Sequence, residues 1–344
     1  MHYKFFANSQ KSWQAMYDVM LSAKKSIYLE MYIFQDDMVD FNFLSLLKEK
    51  AKSGVRVRVI LDSFGSNNLS KNTILEIRDA GVELIFLSYF FHHTHRKILI
   101  VDEKIAFIGG VNFHQSALLW NDLMVQVKGP LVFFIVKSFA KVYGECGGKD
   151  SLILIQNKNK IFIDTVHDWL VEHNPVKNRY NLKKIYRKHL SHAKTNIVLV
   201  TPYFQPKRWL IAELHQAHMR GVNVEILVPR NTDSYFIDRV NYFFINRLSK
   251  LGINFYIEPQ MNHAKIMIID GVEAIVGSNN LDYLSFELNS EVGIFFNQPI
   301  ALHKILDIIK SWKKDTTLFD TKTYKMRWYD YILYLIIKVF YKIL

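Results

Sequence analysis

A histidine and a lysine two residues apart on an extended stretch put an imidazole and an ammonium on one face, because side chains alternate along a strand. The stretch His263-Ala264-Lys265-Ile266-Met267-Ile268-Ile269-Asp270, followed by Gly277-Ser278-Asn279-Asn280, has this spacing. So does His95-Arg96-Lys97-Ile98-Leu99-Ile100-Val101-Asp102, followed by Gly109-Gly110-Val111-Asn112. The intervals from histidine to lysine to aspartate to the asparagine are identical in both. One histidine-x-lysine carries little weight, since a solvated surface strand would show it by chance. Two copies in register point to one site written twice.

Two histidines, two lysines and two asparagines meeting at a pseudo-twofold interface make a pocket for a phosphodiester, whose charge the lysines and amides can hold through transfer. One imidazole attacks phosphorus while the other protonates the leaving oxygen, and neither role needs a metal or another cofactor. Each ring offers one nitrogen to the substrate, so the other nitrogen wants a carboxylate to set the tautomer. Asp122 and Glu291 follow their histidines at nearly equal distances. The candidate catalytic set is therefore His95, Lys97, Asp102, His263, Lys265 and Asp270, supported by Asn112, Asn280, Asp122 and Glu291. His92, His93 and His95 also cluster, but no cysteine stands beside them, and a polar strand end is expected there rather than a metal site. Glu30, beside Tyr32 in a buried-looking strand, reads either as a support for the site or as a simple buried hydrogen bond.

Such a site has to be carried by a sheet. Residues 26–34 read as a buried strand. A helix follows with Phe43, Leu44, Leu46 and Leu47 inward and Lys48, Lys50 and Lys52 outward, stopping at Gly54. A strand over 55–62, a second helix and a strand over 82–87 come next. The order returns from residue 196 with an offset of about 170 residues. Strand and helix in alternation build a parallel sheet with covered faces. The expected fold is α/β: two similar α/β/α sandwich halves with mostly parallel sheets, pseudo-twofold related, with the active site at their interface. The halves are expected at 1–150 and 151–325, broken near Gly144-Glu145-Cys146-Gly147-Gly148.

The chain has 344 residues, 50% of them hydrophobic and 22% charged, a globular balance with ample core. Its net charge of +12 asks for an anionic partner, and nucleic acid and anionic lipid satisfy that equally. A single cysteine, Cys146, excludes an internal disulfide. No apolar run is long enough for a signal peptide or a span, so export is not expected. Residues 326–344 are aromatic and leucine-rich, with Lys338 and Lys342 four apart, and are expected to form an amphipathic membrane-interface helix. The run Tyr89-Phe90-Phe91 reads as a seat for acyl chains or as core.

These motifs resemble the phospholipase D superfamily, whose signature is the duplicated histidine-lysine-aspartate pattern with the glycine and asparagine positions quoted above. The resemblance covers about residues 27–291. Residues 120–130 and 277–291 and the stretch Thr201-Pro202-Tyr203-Phe204 are similar to bacterial cardiolipin synthases. The likeness implies a phosphohistidine intermediate, with Asp122 and Glu291 each supporting the histidine of the opposite half and with Asp102 and Asp270 as structural members of their motifs. Leu284 stands where those synthases usually have arginine, and their N-terminal membrane helices have no counterpart in the first residues.

The function implied is phosphatidyl transfer, most simply cardiolipin synthesis from phosphatidylglycerol. It needs no cofactor and no metal, takes an anionic phospholipid at the cytoplasmic side of the cell membrane as a peripheral protein, and involves no nucleic acid. No obligate protein partner is expected, since both motifs lie in one chain. Hydrolysis with water, by a phosphodiesterase or nuclease, is the alternative that uses the same residues. A binding protein with a vestigial site is the third reading.

Overall fold

The computed structural model describes residues 1–87, 92–157, 168–177, 179–322, 327–332 and 335. Its first sheet contains β1 (His2–Asn8), β2 (Ser26–Met31), β3 (Arg56–Asp62), β4 (Glu83–Leu87), β5 (Ile98–Val101), β6 (Ile105–Gly109) and β7 (Asn121–Lys128), in the order β1-β7-β6-β5-β2-β3-β4. Its second contains β8 (Trp169–His173), β9 (Asn196–Val200), β10 (Asn223–Pro229), β11 (Asn254–Glu258), β12 (Ile266–Ile269), β13 (Glu273–Gly277), β14 (Glu291–Phe296) and β15 (Thr317–Leu318), in the order β15-β11-β10-β9-β12-β13-β14-β8. The helices are α1 (Ser9–Leu21), α2 (Phe43–Lys52), α3 (Lys71–Asp79), α4 (Leu131–Glu145), α5 (Ser151–Leu154), α6 (Asn181–His192), α7 (Arg208–Met219), α8 (Tyr235–Ser249), α9 (Tyr283–Glu287) and α10 (Pro299–Lys313).

The expected strand and helix alternation is present: β2, β3 and β4 run parallel, as do β9, β10 and β11. All other described ladders are antiparallel, so the sheets are mixed rather than mostly parallel. The cause is local. Asp102 and Glu103, at φ 53° and 55°, turn β5 straight back into β6, and Asp270 at 54° does the same between β12 and β13. So short a connection joins only antiparallel strands, and aspartate tolerates the left-handed conformation better than most residues.

Alternation along the strands divides the core. Ile27 and Leu29 of β2 face Trp13 and Met16 of α1 and Phe43, Leu46 and Leu47 of α2. Tyr28 and the β5 residues Ile98 and Ile100 face the other way, onto Leu131, Ile135 and Phe139 of α4. The same cluster takes in Ile266 and Ile268 of β12 and Leu302 and Ile305 of α10, so the inner faces of both sheets share one core with α4 and α10. The outer face of the second sheet packs against α6, α7 and α8.

Near the C-terminus, residues 328–332 are helical and rest on α8. Arg239 donates from Nε and Nη2 to Asp330 at 2.7 and 2.5 Å, and Asp330 is only 1% exposed. Residues 326, 333, 334 and 336–344 of the expected interface helix lie outside the described residues, as do Tyr89, Phe90 and Phe91. Among the described residues no helix is long and apolar enough to cross a membrane.

Candidate active site

Both motif histidines lie on short extended stretches that leave their own sheet and pair with the opposite half. The His95 N–H donates to Ser290 O at 2.9 Å and the Ser290 N–H to His93 O at 2.8 Å. In the second copy the Asn121 N–H donates to Met261 O at 2.9 Å and the His263 N–H to Asn121 O at 2.6 Å. Ser290 precedes Glu291 and Asn121 precedes Asp122, so each stitch delivers one half's acid to the other half's imidazole. His95 Nδ1 lies 3.1 Å from both carboxylate oxygens of Glu291, and His263 Nδ1 lies 2.8 Å from Asp122 Oδ2. Among the described residues no hydrogen bond engages Nε2 of either ring.

Lys97 and Lys265 are buried beside the histidines, and each ammonium donates to the carbonyl of the histidine two residues before it. Lys97 Nζ also stands 5.1 Å from the centre of the Tyr32 ring. Asn112 and Asn280 are buried at the ends of their motifs. Asn112 Oδ1 accepts from the Ile33 N–H at 3.3 Å, whereas Asn280 Oδ1 has no hydrogen-bond partner among the described residues. Asp102 and Asp270 are not brought to the histidines. They sit beyond the far ends of β5 and β12, on the order of 20 Å along the strand. Asp102 accepts the backbone N–H groups of Lys24, Lys25 and Ser26, and Asp270 those of Lys194, Thr195 and Asn196. Against partial burial, these bonds hold both carboxyls below the usual range. Their place is in the turn, so their contribution is to the fold.

The two histidine and acid pairs differ in their surroundings. Glu291 receives hydroxyl donors from Ser278 at 2.5 Å and Ser285 at 2.7 Å in addition to His95. Burial pushes its pKa up, but His95, Lys97 and these hydrogen bonds outweigh that and leave it lowered. Asp122 has the Leu123 N–H at 2.7 Å, and among the described residues no hydroxyl donates to it. Burial lifts it to about 6. At the position matching Ser278 stands Gly110, where a Cβ would meet Asp122 Oδ1 at 2.2 Å. Burial and the charges of Lys97 and Lys265 lower both histidines, His263 further, while Glu291 offsets part of the effect on His95. Lys265 is depressed to about 8, chiefly by burial.

Several supports are not singled out by the sequence. Thr94, just before His95, donates from Oγ1 to Glu30 at 2.6 Å and from its N–H to Asp62 at 2.9 Å. Arg96, just after His95, lies 3.1 Å from Glu30 through Nε and donates to Ser138 Oγ at 2.9 Å. Ser138 in turn donates to Glu172 of β8 at 2.5 Å. Glu30 thus grips both neighbours of His95, in addition to forming a buried hydrogen bond. Asn262, just before His263, donates to Glu258 at 3.0 Å. The one hint in the sequence is that a polar residue precedes each histidine. Aromatic rings also crowd the site: Tyr32 is 4.9 Å from His95, and Trp120 and Tyr203 are 5.5 and 6.1 Å from His263.

His92 Nδ1 lies 3.1 Å from Leu288 O and His93 Nδ1 3.3 Å from Asp62, so the three-histidine cluster does not converge. Among the described residues no group of three or more histidine, cysteine or acidic side chains is placed to hold a metal ion.

A family model described as cardiolipin synthase, phospholipase D-like domain matches residues 16–143 and 186–312, one segment in each half. The chain belongs to this family. It is 29% identical over 347 residues to a cardiolipin synthase of Geobacillus sp. (strain WCH70), covering 94% of this chain and 68% of that one. Over 340 residues it is 30% identical to the major cardiolipin synthase ClsA of Bacillus subtilis (strain 168), covering 92% and 69%. The chain spans about two thirds of the length of the curated relatives it matches, 64% for one from Bacillus subtilis. Among solved structures, the phosphatidylserine synthase of Haemophilus influenzae Rd KW20 superposes with a TM-score of 0.79, covering 99% of this chain and 93% of that one at 15% identity, which shows the two-half fold. Leu284, on α9, is 38% exposed, and a cation reaches the same helix from elsewhere. Lys207 Nζ lies 2.8 Å from Glu287 and 4.4 Å from the centre of the Tyr283 ring.

Proposed function

We propose that the chain is a phosphatidyltransferase that makes cardiolipin from phosphatidylglycerol, working at the cytoplasmic face of the membrane. The observation that carries this is the exchange of acids, by which each motif histidine is hydrogen-bonded to the carboxylate of the opposite half beside a buried lysine. Glu291 stays ionised and accepts the Nδ1 proton of His95, which leaves the Nε2 lone pair of His95 to attack phosphorus. The bond from phosphorus to the leaving glycerol oxygen breaks, and protonated His263 gives that oxygen its proton. A bound phosphodiester anion favours this charged form of His263. Neutral His263 then takes the proton of the acceptor hydroxyl as its oxygen attacks the phosphohistidine and His95 departs unchanged. Lys97 and Lys265 hold the charge on the non-bridging oxygens throughout.

No metal or other cofactor takes part in this scheme, and no nucleic acid or obligate protein partner is required. Residues 1–150 and 151–325 act as the two halves of one site, and 326–344 as the element that meets the lipid. Supporting the last role, Trp328, Tyr331, Ile332 and Leu335 are exposed although Asp330 between them is buried. The test is the lipid content of cells that lack their own cardiolipin synthases. Cardiolipin appears when this chain is expressed and is absent with His95→Ala. If none appears while the purified chain cleaves nucleic acid or soluble phosphodiesters with water, the hydrolytic alternative replaces this reading.

A further inference from the structure

The first motif continues Asn112-Phe113-His114 and the second Asn280-Leu281-Asp282, so the repeat sets an imidazole where its mate has a carboxylate. Asp282 serves the acid of its own half. It accepts the Ser285 N–H at 2.8 Å at the start of α9, and the Ser285 hydroxyl then donates to Glu291 at 2.7 Å. His114 does nothing equivalent for Asp122. Its Nδ1 is engaged by Ser116 Oγ at 2.8 Å, and its ring stands edge-on to Trp120 with centroids 5.3 Å apart. Trp120 in turn lies against His263. From another loop Tyr203 also reaches His263, and its hydroxyl donates to the exposed Asp233 at 2.8 Å. Tyr203 thus ties Asp233 to the His263 end of the site, its ring 6.1 Å from His263.

A third imidazole and a carboxylate are unsuited to a second phosphate, because the carboxylate repels it. They suit hydroxyl groups, which an imidazole and a carboxylate can both bind, while aromatic faces cover the carbon skeleton. We propose that His114, Asp233, Trp120 and Tyr203 form the subsite for the accepting alcohol, a neutral hydroxyl-bearing headgroup, beside His263. This rests on the transferase reading and deepens it. In the second step the acceptor O–H bond breaks with its proton passing to His263 Nε2, the new oxygen to phosphorus bond forms, and the bond from phosphorus to His95 breaks. His114 and Asp233 bind the alcohol in line for that attack, so that it outcompetes water.

The experiment uses the full chain, a short-chain phosphatidyl donor and glycerol as the probe acceptor, and reads the ratio of transfer product to hydrolysis product. His114→Ala and Asp233→Asn each lower this ratio about tenfold or more, and His114→Gln, which can still donate and accept, stays within about threefold of wild type. A ratio unchanged in both His114→Ala and Asp233→Asn overturns the subsite while leaving the transferase reading standing. If the wild-type chain forms neither product, or His95→Ala forms both, the transferase reading falls and the subsite with it.

Discussion

The pair formed by His95 and Glu291 and the pair formed by His263 and Asp122 occupy matching places in a repeated fold, yet their environments have diverged. Glu291 is bound by two serine hydroxyls, and His95 is bracketed by a buried ion pair between Glu30 and Arg96. Asp122 has neither device. Val200 and Ala264 stand where the first half has Glu30 and Arg96, since Val200 pairs with Ile266 as Glu30 pairs with Ile98. A fixed, ionised acid suits a nucleophile that needs one tautomer. An acid lifted to about 6 suits a histidine that must gain and lose a proton each cycle. The two copies of the motif match in spacing and differ in surroundings.

Removing one member of the buried ion pair is the harshest way to break this contrast short of the histidines themselves. Arg96→Met leaves Glu30 buried without its cation and costs about 3–5 kcal/mol in denaturant unfolding. The double change Glu30→Val with Arg96→Ala, which copies the second half, costs less than Arg96→Met alone. A larger cost for the double variant would show that the pair is not what stabilises this strand end.

Truncation at residue 326 probes a contrast between the ends of the chain. The C-terminal segment carries exposed aromatic and aliphatic side chains, and apolar burial contributes about 25 cal/mol per square ångström. Loss of residues 326–344 releases the protein from liposomes of anionic lipid while sparing hydrolysis of a soluble short-chain phosphodiester. Equal binding by the truncated chain would remove the membrane role of that segment.

The pH dependence sharpens the comparison between the acids. Asp122 accepts the His263 proton only when ionised, so kcat/KM falls as pH drops through about 6. Burial and the neighbouring lysines hold His263, the proton donor, below the ordinary imidazole range, so kcat/KM falls on the alkaline side as His263 loses its proton, before Lys265 loses its charge at about 8. Ser278→Ala removes a donor that favours ionised Glu291 and raises that acid's pKa, while the acidic limb stays where Asp122 sets it, near 6. A profile flat from pH 5 to 9 would contradict both assignments. The smallest effect expected is that of a chelator. EDTA leaves the rate unchanged, and a loss restored by a divalent ion would contradict the metal-free mechanism.

The repeat and its central site were legible in the sequence because the strands keep a period of two and the motif intervals are fixed by local geometry. Residues 26–34 and 55–62 read as strands for their branched and aromatic content, and they contain β2 and β3. The antiparallel returns were not legible, since they depend on the conformation of Asp102, Glu103 and Asp270 rather than on hydrophobic pattern. Asp122 and Glu291 stood out by their matching positions. Glu30 stood out as a possible support, but the contacts of the supports did not, because Thr94 meets Glu30, Ser138 meets Glu172 and Ser278 meets Glu291 only after distant strands have paired. His114 was invisible for a related reason: its meaning comes from Trp120 and His263, which the fold brings to it.

The central claim is that the two histidines are both essential and no longer equivalent, and it is tested most directly by trapping the covalent intermediate. The donor carries a leaving group that needs no proton, and phosphorylated histidine is located by mass spectrometry in wild type, His95→Ala and His263→Ala. The account predicts that both variants lose about ten-thousandfold or more in turnover of a natural substrate. It also predicts that His263→Ala alone accumulates the covalent phosphoester adduct, on His95. Near-normal turnover by either variant, or label on His263 in the His95→Ala chain, would contradict it.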